Sequence, residues 1–150
     1  MTTQPARGLA QRKQDALGRL EHDVDLWVAT ADRAGEPYLV PLSFRWDGDS
    51  LLISTPAASP TGRNLQAGHT VRLAVGETRD VILIDGIVSI VPPADLSVAE
   101  GDAFADKAGF DPRDLTGYLY FRIQPRRVQA WREVNELSGR ELMRGGRWLA

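Results

Sequence analysis

The chain has 150 residues, 43% apolar and 25% charged, with a net charge of −2. These are the proportions of an ordinary globular protein, and no basic excess points to nucleic acid or an anionic membrane as partner. The sequence has no cysteine and two distant histidines, His22 and His69. Disulfides, thiol nucleophiles and thiolate metal sites are therefore excluded, and no metal site is assigned.

The length suits one domain, residues 1–150, with an N-terminal helix in 1–23 and a C-terminal extension over 134–150. Met1 to Gly8 shows no apolar signal core, and no segment is apolar enough to span a membrane, so a cytoplasmic location is expected. Leu9 to Asp23 reads as an amphipathic helix, with Leu9, Leu17 and Leu20 on one face and Arg12, Lys13, Asp15, Arg19 and Glu21 elsewhere. Val24–Ala31 and Tyr38–Trp46 read as a hairpin around Gly35, and Asp47-Gly48 is a second tight turn leading into Leu51–Thr55. Ser59 then caps a short helix with Pro60 at its first position, running to Ala67.

Thr70–Val75 alternates apolar and polar residues, the pattern of a half-buried strand. Val81–Val91 opens with four apolar residues and no alternation, which predicts burial on both faces, and Gly86 predicts a bulge or bend. Pro92-Pro93 stops that strand, and Asp95–Ala108 reads as a helix ended by Gly109. Tyr118–Ile123 and Val128–Glu133 read as two strands split at Pro125. The tail carries Leu137, Leu142, Met143 and Trp148, too apolar to be left unpacked. Short strands without regular β-α alternation give a mainly β, α+β fold: a small antiparallel barrel of six to seven strands with flanking helices.

Several chemistries are absent. No G-x-S-x-G elbow, P-loop or strand-coupled G-x-G-x-x-G occurs. The acids Asp23, Asp25, Asp47 and Asp49 lie at strand or turn borders, where carboxylates are ordinarily solvated. Two features stand out. The strand-to-helix stretch Leu51–Leu65 ends in Ser54 and Thr55, and its helix opening carries Ser59, Thr61, Arg63 and Asn64, a set able to hold a phosphate or carboxylate. Trp131, with Arg126, Arg127 and Arg132 nearby in sequence, suits an aromatic anionic ligand or a subunit interface. Of the other tryptophans, Trp27, Trp46 and Trp148, a strand position argues first for the core.

The order G-x-P-Y-L-V-P-L-S-F-x-W-D-G-D, I-S-T-P, S-x-T-G-R-N-L, V-R-L-A-V and a late W-R-E resembles the pyridoxamine 5′-phosphate oxidase-like family of split β-barrel oxidoreductases. The resemblance covers about Val24 to Arg132. It implies a homodimer that holds FMN or the deazaflavin coenzyme F-420 between two barrels and transfers a hydride to a small-molecule substrate. By the same resemblance Val40, Pro41 and Leu42 lie along the ring system, and Ser54 and Thr55 offer hydroxyl contacts. Ser59, Thr61, Arg63 and Asn64 fall at the phosphate, and Trp131 closes the pocket from the partner subunit. One departure matters: the family motif commonly carries a lysine at the place of Thr61. Arg63, with Arg79 nearby, is left to match the phosphate, a loss of roughly 1–2 kcal/mol. No clear match exists to the C-terminal arginine and histidine motif of true pyridoxamine phosphate oxidases, so vitamin B6 oxidation is not expected. A non-catalytic flavin- or tetrapyrrole-binding carrier on the same barrel is the alternative.

Overall fold

A computed structural model describes residues 4–150, and the part of the N-terminal reading on residues 1–3 lies outside it. Helix α1 spans Leu9–His22, and strands β1 (Asp25–Ala31), β2 (Pro37–Trp46) and β3 (Leu51–Pro56) follow. Helix α2 (Pro60–Ala67) leads to β4 (Thr70–Glu77) and β5 (Asp80–Val91), then α3 (Val98–Ala108), β6 (Tyr118–Trp131), β7 (Glu141–Arg144) and β8 (Arg147–Trp148). The sheet order is β3-β2-β1-β4-β5-β6-β7-β8, and a further β3–β6 pairing closes six strands into an antiparallel barrel. The barrel is the expected fold, with β7 and β8 as an extra hairpin on β6. Among the described residues no helix is long and apolar enough to cross a membrane.

The principal core fills the barrel with Leu26, Val28, Phe44, Leu51, Ile53, Leu73, Val75, Ile82, Ile84, Phe121 and Ile123. A second cluster of Leu52, Phe104 and Tyr120 lies under α3, where the Phe104 and Tyr120 rings meet edge to face at 5.6 Å. The α3 helix starts at Val98 rather than Asp95, because the Ser97 hydroxyl caps it by accepting from Glu100 N. Val81–Ile84 is not buried on both faces. Ile82 and Ile84 point inward while Val81 and Leu83 are half-buried on the outside.

The split expected at Pro125 does not occur: β6 is one strand from Tyr118 to Trp131. The register slips at Asp85/Gly86, where Gly86 pairs with Pro125 and Asp85 with Arg127. Arg126 is thus the extra residue of a bulge, a place where a proline without an N–H is tolerated. A Cβ on Gly86 would stand 2.5 Å from Ile123 Cγ2 and 2.9 Å from Gln124 O, so only glycine lets the two strands approach.

Arg12 also departs from expectation. It sits on the inward face of α1, 3% exposed, rather than on the solvated one. Its guanidinium donates to the carbonyls of Ala130, Glu136, Gly139 and Arg7, drawing four separate stretches of backbone together. Beside it the buried Glu136 carboxylate accepts from Arg7 Nε at 2.9 Å, Arg7 Nη2 at 2.7 Å and the amides of Arg7 and Arg132. This pair ties the N-terminal segment to the C-terminal extension. It also holds the Glu136 carboxyl at about 2, chiefly through the Arg7 hydrogen bonds.

Because that value lies below the model-peptide value of 4.5, the stabilisation is complete above about pH 4.5 and drains away as pH falls toward 2. Glu136→Gln is expected to lower stability at pH 7 by about 2–3 kcal/mol. It should also flatten the acid limb of a denaturation series between pH 5 and about 2, leaving the two proteins closer at low pH. An unchanged acid limb would show that Glu136 is not the group responsible.

Candidate functional site

Two neighbouring features form one corner of the barrel, the end of β3 with the start of α2 and the outer edge of β2. The chain leaves β3 through Ala57-Ala58 and turns tightly into α2. Ser59 Oγ donates to Pro56 O at 2.8 Å and accepts from Gly62 N at 3.0 Å, while Arg63 N closes the first helical bond on Ser59 O. A Cβ on Gly62 would fall 2.1 Å from Pro56 O, so the loop lies directly on the helix start. The first-turn amides of Gly62 and Arg63 are therefore taken, and the corner does not present the open nest of N–H groups expected from the sequence.

The hydroxyls are similarly turned away from solvent. Ser54, Thr55 and Thr61 are 3%, 5% and 2% exposed. Ser54 Oγ donates to Leu119 O, Thr55 Oγ1 lies 3.4 Å from Ser59 Oγ, and Thr61 Oγ1 has no partner among the described residues. What the helix offers outward is Arg63 and Asn64. Arg63 is exposed and forms no ion pair with any described residue, and Asn64 Nδ2 donates to Thr30 Oγ1 at 3.1 Å. Together with Ala31, Asp32, Arg33, Ala67 and Gly68 they line a depression of about 370 Å³.

Strand β2 pairs with β1 along Pro37–Ser43, but with β3 only at Phe44, Arg45 and Trp46. Among the described residues its second edge is consequently unpaired from Pro37 to Ser43. Phe44 N donates to Val24 O on the β1 side. Strand alternation then turns the backbone groups of Val40 and Leu42 toward β1 and those of Leu39, Pro41 and Ser43 toward the open edge. Both Pro37 and Pro41 sit at edge-facing positions, where a missing N–H costs nothing. Of the three residues singled out on this strand, only Pro41 presents its carbonyl to the gap. Leu39 and Ser43, which the sequence reading passed over, present both groups.

Arg79 and Trp131 lie elsewhere. Trp131 pairs with Val81, and Arg79 sits in the β4–β5 turn, 3.5 Å from Glu133. Thr55 pairs with Leu119, twelve residues before Trp131 on β6, about 40 Å along an extended strand. Arg79 is likewise a full length of β4 from the α2 corner, about 23 Å, so it does not join Arg63 within one chain. Trp131 is half-buried, with the Arg140 guanidinium 5.8 Å from its ring centroid. Arg140 is fixed there by Gln129 Oε1 and Leu137 O. This stacked arginine comes from the C-terminal extension, and no sequence spacing pointed to it. Trp27 faces outward, 47% exposed, between Pro41 and Ala74, whereas Trp46 is core. With Leu39 and Leu83 it makes an apolar band on the outer sheet face.

A closed six-stranded barrel whose second strand leaves half an edge open beside a short capped helix defines a split-barrel protein. The sequence profile described as pyridoxamine 5′-phosphate oxidase matches residues 18–132, and the chain belongs to that family. A search of curated proteins finds no match. Among solved structures, the fold is similar to an F420 reductase, 22% identical over 74% of this chain and 93% of that one, with a TM-score of 0.62. It is also similar to General Stress Protein 26 from Bacillus anthracis, 16% identical over 81% and 95%, TM-score 0.65. A third similar structure is the heme storage protein HutZ from Vibrio cholerae, 16% identical over 83% and 98%, TM-score 0.66.

The open edge makes a prediction that needs no ligand. Amide hydrogen exchange at Leu39 and Ser43 should be fast, and exchange at Val40 and Leu42 slower by at least about ten-fold. The reverse order would mean that the edge is paired.

Proposed function

We propose that the protein is an oxidoreductase that binds FMN or the deazaflavin coenzyme F-420 at the α2 corner and acts as a homodimer. The observation that carries this reading is the unneutralised Arg63 beside Asn64, at one end of an unpaired stretch of β2. A phosphate needs a cation that no carboxylate already occupies, and a flat heterocycle with amide-like edges needs free backbone partners. The corner supplies both. Arg63 and Asn64 would hold the phosphate, and the edge groups of Leu39, Pro41 and Ser43 would meet the ring. The Ser59 hydroxyl shapes the helix start, and those of Ser54 and Thr55 the strand end behind it.

Bound there, such a cofactor supplies a carbon or nitrogen centre that gives or takes a hydride. The chain's own contribution is binding, orientation and exclusion of water. A second copy is invoked for two reasons. The outward band of Trp27, Leu39, Pro41, Ala74 and Leu83 is an apolar face of the kind that protein interfaces cover. In addition Arg79, Trp131 and Arg140 stand too far from Arg63 to act with it in one chain, and a twofold partner would supply them. Membership of the oxidase family and likeness to an F420 reductase support this reading.

A second reading, a carrier that holds a flavin or tetrapyrrole without turnover, is favoured by one feature. The corner presents a guanidinium and a carboxamide, neither of which moves a proton at neutral pH. The likeness to a heme storage protein lends it support.

Fluorescence titration with FMN and, separately, with coenzyme F-420 tests the proposal. One of them is expected to bind at micromolar concentration or tighter, with Arg63→Ala weakening it about ten-fold or more. Binding of neither, or affinity indifferent to Arg63→Ala, would overturn the assignment. Tight binding with no reduction of any electron acceptor would favour the carrier.

A further inference from the structure

A second depression adjoins the α2 corner, sharing Ala31 with it, and plays no part in the proposal above. It holds about 550 Å³ and is lined by Ala29, Thr30, Ala31, Thr70, Val71, Arg72, Asp85, Gly86, Ile87 and Arg126. Its floor is apolar, formed by strand backbone and by Ala29, Ala31 and Ile87, the last 43% exposed. Its charge comes from three side chains. Arg72 and Asp85 neutralise each other in an ion pair across β4 and β5. Arg126 makes no side-chain hydrogen bond or ion pair with any described residue, so the lining carries a net charge of +1 in a chain whose total is −2.

The β5–β6 bulge is what places that cation. In a regular strand neighbouring residues face opposite ways, but Arg126 and Arg127 are both exposed between buried Pro125 and buried Val128. The two arginines then meet different fates. Arg127 is paired with Glu141 at 2.8 Å, and Glu141 also takes Arg144. Arg126 is left facing the depression. Its position is backed by the β7–β8 turn: Gly146 N donates to Arg126 O at 2.8 Å, and a Cβ on Gly146 would stand 3.3 Å from Arg126 Nη1. Gly146 also has φ +79°, a conformation that favours glycine, and its missing side chain leaves room for the guanidinium.

An apolar floor with one free, backed guanidinium at its rim matches an amphiphilic acid. We infer that this depression binds a small organic oxyanion, its carboxylate or phosphate on Arg126 and its apolar body over Ile87, Ala29 and Ala31. The site does not depend on a cofactor at Arg63. Ala31 lines both depressions, so an acid held here lies near whatever the corner holds.

Titration of the full chain with phenyl phosphate and with benzoate, followed by backbone amide NMR, tests the inference with no cofactor present. Saturable shifts at Gly86 and Ile87 are expected with at least one acid, and the tighter of the two identifies the anion class. Phenol, which has the ring without the charge, should leave those amides in place. Arg126→Gln should weaken binding about ten-fold or more, while Arg45→Gln, outside the depression, should not. No saturable shift at Gly86 and Ile87 with either acid would overturn the assignment. So would an affinity that Arg126→Gln leaves unchanged. Failure of FMN and coenzyme F-420 to bind would touch neither result, which keeps the two proposals separable.

Discussion

Everything in this structure hangs on β6 being one strand. It pairs with β3 over its first half and with β5 along nearly its whole length, and the β3 pairing is what turns an open sheet into a barrel. A strand that long must bend to follow the barrel, and the Asp85–Gly86 slip against Pro125 and Arg126 provides the bend. Three local requirements meet there: a glycine where a Cβ would strike Ile123, a proline where no donor is needed, and an extra residue to carry the twist. Replacing the bulge by a regular register would turn either the core residues Val128 and Ala130 or Phe121 and Ile123 outward.

That same strand separates the candidate residues. Leu119, at one end, packs against the β3–α2 corner with Arg63 and the open edge of β2, whereas Trp131, at the other, stands with Arg79 and Arg140. The open edge follows from divergence of two strands: β3 runs on to Pro56 paired with β6, but it parts from β2 beyond the Phe44–Ile53 pair. An unpaired edge inside a closed barrel invites a partner, and its two prolines keep it from recruiting another strand along part of its length. Outward, the same stretch of β2 joins Trp27 in an apolar band. The two properties, an edge that asks for polar partners and a face that asks to be covered, meet around Pro41.

Local signals carried much of the fold in the sequence. Ser59 followed by Pro60 located α2 to the residue, and Asp47-Gly48 and Gly35 marked the hairpins. Gly86 announced the bend. The failures have a common cause, which is dependence on distant chain. Pro125 reads locally as a strand terminator, and only the opposing Gly86 makes it a bulge. Arg12 reads as solvated because arginine ordinarily is, and it is buried only because carbonyls from Ala130, Glu136 and Gly139 converge on it. Trp27 reads as core until the register puts Leu26 and Val28 inside. Of the site, Arg63 and Asn64 were legible as the polar end of a capped helix. The covering of Ser54, Thr55 and Thr61, and the edge-facing amides of Leu39 and Ser43, depend on how the loop folds back and where β3 parts from β2.

The central claim is that the site is divided between the two ends of the barrel and is completed only when two copies come together. Complementation tests it most directly. Arg63→Ala and Trp131→Ala proteins, each impaired in binding FMN or coenzyme F-420, would be unfolded together, refolded together and titrated. Random pairing leaves about one quarter of the sites with both wild-type residues, and recovery of that fraction at wild-type affinity is expected. No recovery in the mixture, with both variants folded, would contradict a site shared between two copies.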